Sequence, residues 1–205
     1  MPAPQFHERL RALTKKHGIL LIADEVQSGM GRTGKMFGIQ HFGVEPDMVA
    51  VAKGVASGLP LGVTTARAEV MDWPPGSHAS TFGGNPVSCA AAMATIGLLK
   101  ESLVKNAADV GAFMMDRLKE VQQKHAIVGD VRGRGLMIGI ELVKDRVTKE
   151  RATAERDKVV EACFARGLLV LGAGKTAIRL SPPLVLTKAQ ATTAVDIIDQ
   201  ALGTL

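Results

Sequence analysis

Two unbroken apolar runs, Ile19-Leu20-Leu21-Ile22-Ala23 and Met48-Val49-Ala50-Val51-Ala52, constrain this chain more than any other feature. A strand with one wetted face alternates apolar and polar residues, whereas a run that is apolar at every position has to be covered on both faces. That is the pattern of a parallel sheet with helices on either side. Each run stops at a charge: Asp24 closes the first and Lys53 the second. Set side by side in parallel, the two strands present one acid and one amine at the same edge of a sheet.

A lysine at the carboxyl end of a buried strand is expensive to desolvate as a cation, so its amine is pushed toward the neutral, nucleophilic form. An imine-forming lysine needs that state. Together the two residues match a site for pyridoxal phosphate, in which a lysine holds the aldehyde and an acid keeps the ring nitrogen protonated. Taken singly, each reads equally well as a solvated charge at the end of an element.

The first half of the chain alternates helix and strand signals. A helix over residues 5–17 stops at Gly18, a residue suited to the left-handed cap. A third strand is expected over residues 62–66, after the glycine-punctuated stretch that follows Lys53. Asn85-Pro86 opens a helix of small residues to about Lys100, with proline in the first turn, where it is tolerated. From Glu101 onward the texture changes to amphipathic helices over residues 103–124, 151–166 and 188–202. The last has a capping box of Thr187 and Gln190. Strands over residues 136–143, 168–171 and 177–180 complete a small sheet with helices on one side. The expected organisation is therefore one domain over residues 1–100 and a smaller α/β domain over residues 101–205.

Composition narrows the function classes. With 205 residues and 46% hydrophobic content the chain buries a real core. The net charge of +5 comes from scattered basic residues, aromatics are only 3%, and there is no tyrosine, which leaves no basic face with stacking platforms for nucleic acid. Cys89 and Cys163 are too few for a disulfide framework and indicate a reducing, cytoplasmic setting. The stretch from Val87 to Leu99 is shorter than the ~20 residues a membrane span needs, so no membrane is expected. No Cys/His set has zinc spacing, so no metal is expected.

Two glycine motifs invite other readings. Gly29-Met30-Gly31-Arg32-Thr33-Gly34 has the spacing of a dinucleotide fingerprint, but Asp24 to Ser28 separate it from the strand, and Gly38 and Gly43 fall where a packed helix should start. Gly172-Ala173-Gly174-Lys175-Thr176 resembles the end of a phosphate loop, yet position 169 is Leu169 rather than glycine and a strand follows, so a hairpin turn is the better account.

Five segments in register carry a family resemblance: Ala23-Asp24-Glu25-Val26-Gln27-Ser28-Gly29, Gly31-Arg32-Thr33-Gly34, Gly43-Val44-Glu45-Pro46-Asp47, Ala52-Lys53-Gly54, and Ser80-Thr81-Phe82-Gly83-Gly84-Asn85-Pro86. In this order they resemble the class III pyridoxal phosphate aminotransferases, the family of 4-aminobutyrate, acetylornithine and ornithine aminotransferases. The likeness continues through Asp130-Val131-Arg132-Gly133-Arg134-Gly135-Leu136 to Ile178-Arg179-Leu180-Ser181-Pro182-Pro183. It implies part of the type I large domain of these enzymes, a mostly parallel sheet with helices on both faces, followed by the small C-terminal domain. Only the carboxyl-terminal half of such an enzyme is matched. The family's phosphate-binding loop and ring-covering aromatic lie upstream of it, so a partial chain, incomplete as a catalyst by itself, is expected.

The resemblance also implies roles. Lys53 is the cofactor-bearing lysine and the base that moves a proton at the substrate. Asp24 pairs with the ring nitrogen, Gln27 bonds near the ring hydroxyl, and Val26 packs on a ring face. Thr81 reaches the cofactor phosphate of a neighbouring subunit, which implies a homodimer. Arg179 clamps a substrate carboxylate with its planar fork. The implied activity is transfer of an amino group from an ω-amino acid to a 2-oxo acid, and the segments at Ala23 and at Arg67-Ala68-Glu69-Val70-Met71-Asp72 are most like 4-aminobutyrate aminotransferases. Acetylornithine or ornithine transamination, racemisation on the same scaffold, and an inactive fragment that pairs with a separate N-terminal half stand as alternatives.

Overall fold

Helix α1 (Phe6–Lys16) ends where Gly18 turns left-handed at φ 63° and the Ile19 amide donates back to Thr14 O at 2.9 Å. The computed structural model describes residues 2–205, which divide into two compact units, the first ending at Val104 and the second spanning Lys105–Leu205.

In the first unit, β1 (Ile22–Asp24) runs parallel to β2 (Met48–Val51), with Ile22 opposite Met48 and Asp24 opposite Ala50. Strand β3 (Val63–Ala66) returns antiparallel on the other side of β2, giving the order β1-β2-β3. The sheet is thus mixed in these residues. The first apolar run is only partly strand, because Ile19, Leu20 and Leu21 precede β1. No described residue covers the run fully: Ile19 is 57% and Ile22 58% exposed. The covering implied by a run without polar alternation is not supplied by this chain's own described residues.

Helix α2 (Pro86–Leu98) starts at Asn85, whose Oδ1 accepts from the amides of Val87 and Ser88 at 3.0 and 3.2 Å. The helix does not stop near Lys100. It passes through a π turn (Leu99–Leu103) into α3 (Val104–Lys124). The continuous run Pro86–Lys124 is long and apolar enough to span a bilayer by length and composition, a length that the stretch ending at Leu99 lacks. Its second half has another use. The stripe Ala107, Val110, Met114, Leu118 and Val121 is buried in the core of the second unit.

That second unit is a four-stranded antiparallel sheet in the order β4-β5-β7-β6, formed by β4 (Val128–Arg134), β5 (Met137–Leu142), β6 (Leu171–Ala173) and β7 (Ala177–Leu180). Helices α4 (Thr153–Ala165) and α5 (Lys188–Leu202) complete it, and the Thr187–Gln190 capping box is formed. Ile138, Ile140, Leu142 and Ile178 point into the core with Val159, Val195 and Ile198. Strand β6 starts three residues later than its expected start at 168. Strand β4 lacks the alternating pattern of a strand in its sequence, because a bulge between Val128 and Asp130 puts its inward residues, Val128 and Val131, three apart instead of two. Residues 174–176 link β6 to β7 as a hairpin, with Gly174 left-handed at φ 57°.

Candidate active site

The parallel register brings the carboxyl ends of β1 and β2 to one edge. Asp24 is the last residue of β1, and Lys53 follows β2 as the first residue of a short 3-10 turn (Lys53–Ala56). Lys53 Nζ donates to Gln27 Oε1 at 2.9 Å. Asp24 Oδ1 accepts the Val26 amide at 3.0 Å, and Asp24 itself is exposed. Asp24, Val26, Gln27 and Lys53 are therefore gathered at one place in the first unit.

Lys53 adopts φ 49°, a left-handed backbone that a lysine rarely takes and that costs about 1 kcal/mol. The turn is held from behind: Val55 and Ala56 are buried and pack on α2, and the Ser57 and Thr95 hydroxyls bond at 2.9 Å. The side chain of Lys53 is exposed in this chain rather than buried at the strand end as expected. Its turn throws the side chain out beyond the strand end instead of leaving it in the sheet.

Two acids that sequence reading passed over fix this edge. Successive strand residues point to opposite faces, so where Asp24 faces out, Glu25 faces in, and it is 3% exposed. Its Oε2 accepts the Gly38 amide at 2.9 Å and the Ser28 hydroxyl at 2.6 Å, and its Oε1 accepts the Ile39 amide at 2.7 Å. This clamps the glycine loop onto the end of β1. Within that loop Gly31 and Gly34 are left-handed, and turns rather than a long helix follow, so the segment is not built as a dinucleotide cradle.

Asp47 does the same for the strand register. It is buried, takes Arg11 in a two-pronged ion pair at 2.5 and 3.1 Å, pairs with Arg67 at 2.8 Å, and accepts the Leu21 amide at 2.7 Å. Its own amide donates to Leu21 O at 2.8 Å. The Arg11 hydrogen bonds, helped by the Leu21 amide, hold its carboxyl down at about 2. The only hint in the sequence was the Pro46-Asp47 pair just before an apolar run.

Thr81 is exposed in the segment leading to α2, and no hydrogen bond joins it to Asp24, Gln27 or Lys53. Arg179 lies in the second unit on β7, opposite Gly139 of β5. There it lines a cleft of about 560 Å³ with apolar walls that include Leu171, Pro182 and Leu186, and the Arg179 Nε and Ser181 Oγ atoms are buried with no hydrogen-bond partner. Among the described residues no cluster of His, Cys, Asp and Glu could hold a metal.

The chain has close counterparts among known proteins. The family model for class-III aminotransferases matches residues 1–202, and the chain belongs to that family. A leucine/methionine racemase of Thermococcus litoralis is 45% identical over 205 residues, covering 99% of this chain and 46% of the racemase. The 4-aminobutyrate aminotransferase GabT of Escherichia coli is 42% identical, covering 97% of this chain and 47% of that enzyme. Among solved structures, an aminotransferase of Bacillus anthracis superposes with a TM-score of 0.94 at 34% identity, and a PLP-bound amine transaminase from an uncultivated Pseudomonas species with 0.93 at 37%. They cover all of this chain and 49% of theirs, so the chain spans about half the length of the proteins it matches. The fold is that of part of a pyridoxal phosphate transferase, and pyridoxal phosphate is the cofactor of the family.

The residues present fit that cofactor. A primary amine, bonded to the Gln27 side-chain amide, and a carboxylate whose Oδ1 takes the Val26 amide stand at one sheet edge.

Proposed function

We propose that this chain carries the cofactor-bearing half of a transaminase that moves an amino group from an ω-amino acid such as 4-aminobutyrate to a 2-oxo acid. The observation that carries the reading is the Lys53–Gln27 bond at 2.9 Å beside Asp24. When bound, the cofactor supplies an electron sink for the substrate carbon that loses its proton. Lys53 Nζ would hold the aldehyde and then take and return the proton at that carbon. The carboxylate of Asp24 would accept the ring N–H, Gln27 would turn its amide to the ring hydroxyl, and Val26 would pack on the ring. Thr81 would reach the phosphate held by a second copy in a homodimer, with a separate N-terminal half as a further partner. Arg179 would bind a substrate carboxylate, a role supported by its buried, unpartnered Nε.

The large and small domains of such an enzyme would be divided near residue 100. A reducing, cytoplasmic location suits two unpaired thiols, Cys89 and Cys163. Racemisation is a second reading, favoured by two racemases, acting on leucine/methionine and alanine/serine, that are each 45% identical to this chain. Acetylornithine transamination is a third, with a relative 35% identical. Product analysis with pyridoxal phosphate, an L-amino acid or 4-aminobutyrate, and a 2-oxo acid tests the proposal. Transamination consumes the 2-oxo acid in step with the donor, whereas inversion of the amino acid with the 2-oxo acid untouched replaces the proposal with the racemase reading.

A further inference from the structure

The second unit has a cleft of about 520 Å³ on the outer side of β4 and β5, closed by the loop of residues 144–151. Arg132, Arg146, Lys149 and Arg151 line it against only two acids, Asp130 and Glu141. Both acids are already engaged. Arg132 donates to Asp130 Oδ2 at 3.0 Å and to Glu141 Oε2 at 2.6 Å, and the Thr176 hydroxyl donates to Glu141 Oε1. Arg146 is engaged as well, since its guanidinium bonds the carbonyls at the end of α3, Ala126 O at 3.0 Å and His125 O at 2.9 Å, together with Gln122 O. Neither Lys149 nor Arg151 donates a side-chain hydrogen bond to a described residue, although the charge of Arg151 is near enough to Glu141 to help hold that carboxyl below its usual range.

The loop that carries them is braced. Asp145 Oδ1 accepts the amides of Val147 and Thr148 at 2.9 and 2.6 Å, and its carbonyl accepts the Lys149 amide at 2.9 Å. Lys144 pairs with Glu150 at 2.8 Å, and Val143 and Arg151 form an antiparallel bridge. Lys149 is held left-handed at φ 57°. A braced loop thus keeps two cations that donate no side-chain hydrogen bond, one a point charge and one a planar fork, over a concavity whose carboxylates are already hydrogen-bonded to Arg132. In such a place cationic charge raises the local concentration of anions, and the fork takes two oxygens of one group.

We propose that this cleft is a binding site for a multivalent oxyanion of the phosphate class, held by Lys149 and Arg151 with Arg132 at its floor. Two cations that donate no side-chain hydrogen bond call for more than one negative charge, which favours a phosphate over a single carboxylate. The volume leaves room for an organic group on the phosphate. The site involves residues of the second unit only and does not depend on the reading of Lys53.

The test is an amide NMR titration of the full chain with inorganic phosphate at constant ionic strength, repeated with adenosine monophosphate. Saturable shifts confined to residues 129–132, 141–151 and 176 are expected. The pair Lys149→Asn and Arg151→Gln, in which asparagine tolerates the left-handed backbone, should weaken binding about tenfold or more, as loss of charge-assisted contacts implies. The charge-keeping pair Lys149→Arg and Arg151→Lys should retain it. Tighter binding of the nucleotide than of phosphate would indicate a phosphomonoester, and equal binding the free anion. Shifts that never saturate, or that persist unchanged in the neutral pair, overturn the proposal, and the same spectra report whether each variant is folded.

Discussion

Lys53 and Gln27, which lie beyond the ends of two neighbouring parallel strands, are joined by a 2.9 Å hydrogen bond from Nζ to Oε1. The bond exists because the register of β1 against β2 is fixed upstream, where Leu21 and Asp47 exchange hydrogen bonds through backbone and carboxylate. One residue of slip would turn Asp24 to the opposite face and send Glu25 outward. The geometry of the sheet edge thus depends on two acids, Glu25 and Asp47, that hold its loop and its register.

Glu25→Ala leaves the amides of Gly38 and Ile39 without their acceptor in a buried place. An unsatisfied buried donor costs about 1–3 kcal/mol. Urea unfolding followed by signals from the first unit should show a loss of that order, with Glu25→Gln, which keeps one acceptor oxygen, less affected.

Asp47 sets an acid limit on the first unit. Its carboxyl is held at about 2, below its ordinary value of 3.8, so its contribution is fully present above the ordinary value and disappears as pH falls through about 2. Unfolding midpoints measured between those limits should fall with pH in the parent chain. In Asp47→Asn they should start lower at neutral pH and show a smaller drop over the same window.

Gly111 on α3 faces the turn between β4 and β5, where an added Cβ would lie 2.2 Å from the carbonyl of Gly135. Gly111→Ala should therefore force helix and turn apart and destabilise the second unit by about 1–3 kcal/mol. Thermal unfolding read from the amides of β4 and β5 checks this, and an unchanged midpoint would mean that the contact is not tight.

The parts of the fold that could be read from sequence are those specified locally. Gly18, Asn85-Pro86 and Thr187 with Gln190 mark helix ends through their own backbone chemistry, and the run that becomes β2 is followed by Lys53, as expected. Glu25 and Asp47 could not be read in the same way, because their partners Gly38 and Arg11 lie 13 and 36 residues away. A lone acid does not announce such a bond. The bulge in β4 hid a strand by breaking its period of two, and the π turn over Leu99–Leu103 joined two helices that read as separate. For Lys53 the expected location was right and the expected burial was not, since a left-handed turn at the strand end cannot be inferred from residue types alone.

The most direct test of the account is to incubate the chain with pyridoxal phosphate, reduce with borohydride, and locate the modified lysine by peptide mass spectrometry. The account predicts that Lys53 carries most of the label, that Asp24→Asn weakens its capture, and that the visible absorption band seen before reduction is lost in Lys53→Ala. Label spread evenly over the surface lysines, or a band unchanged in Lys53→Ala, would contradict it.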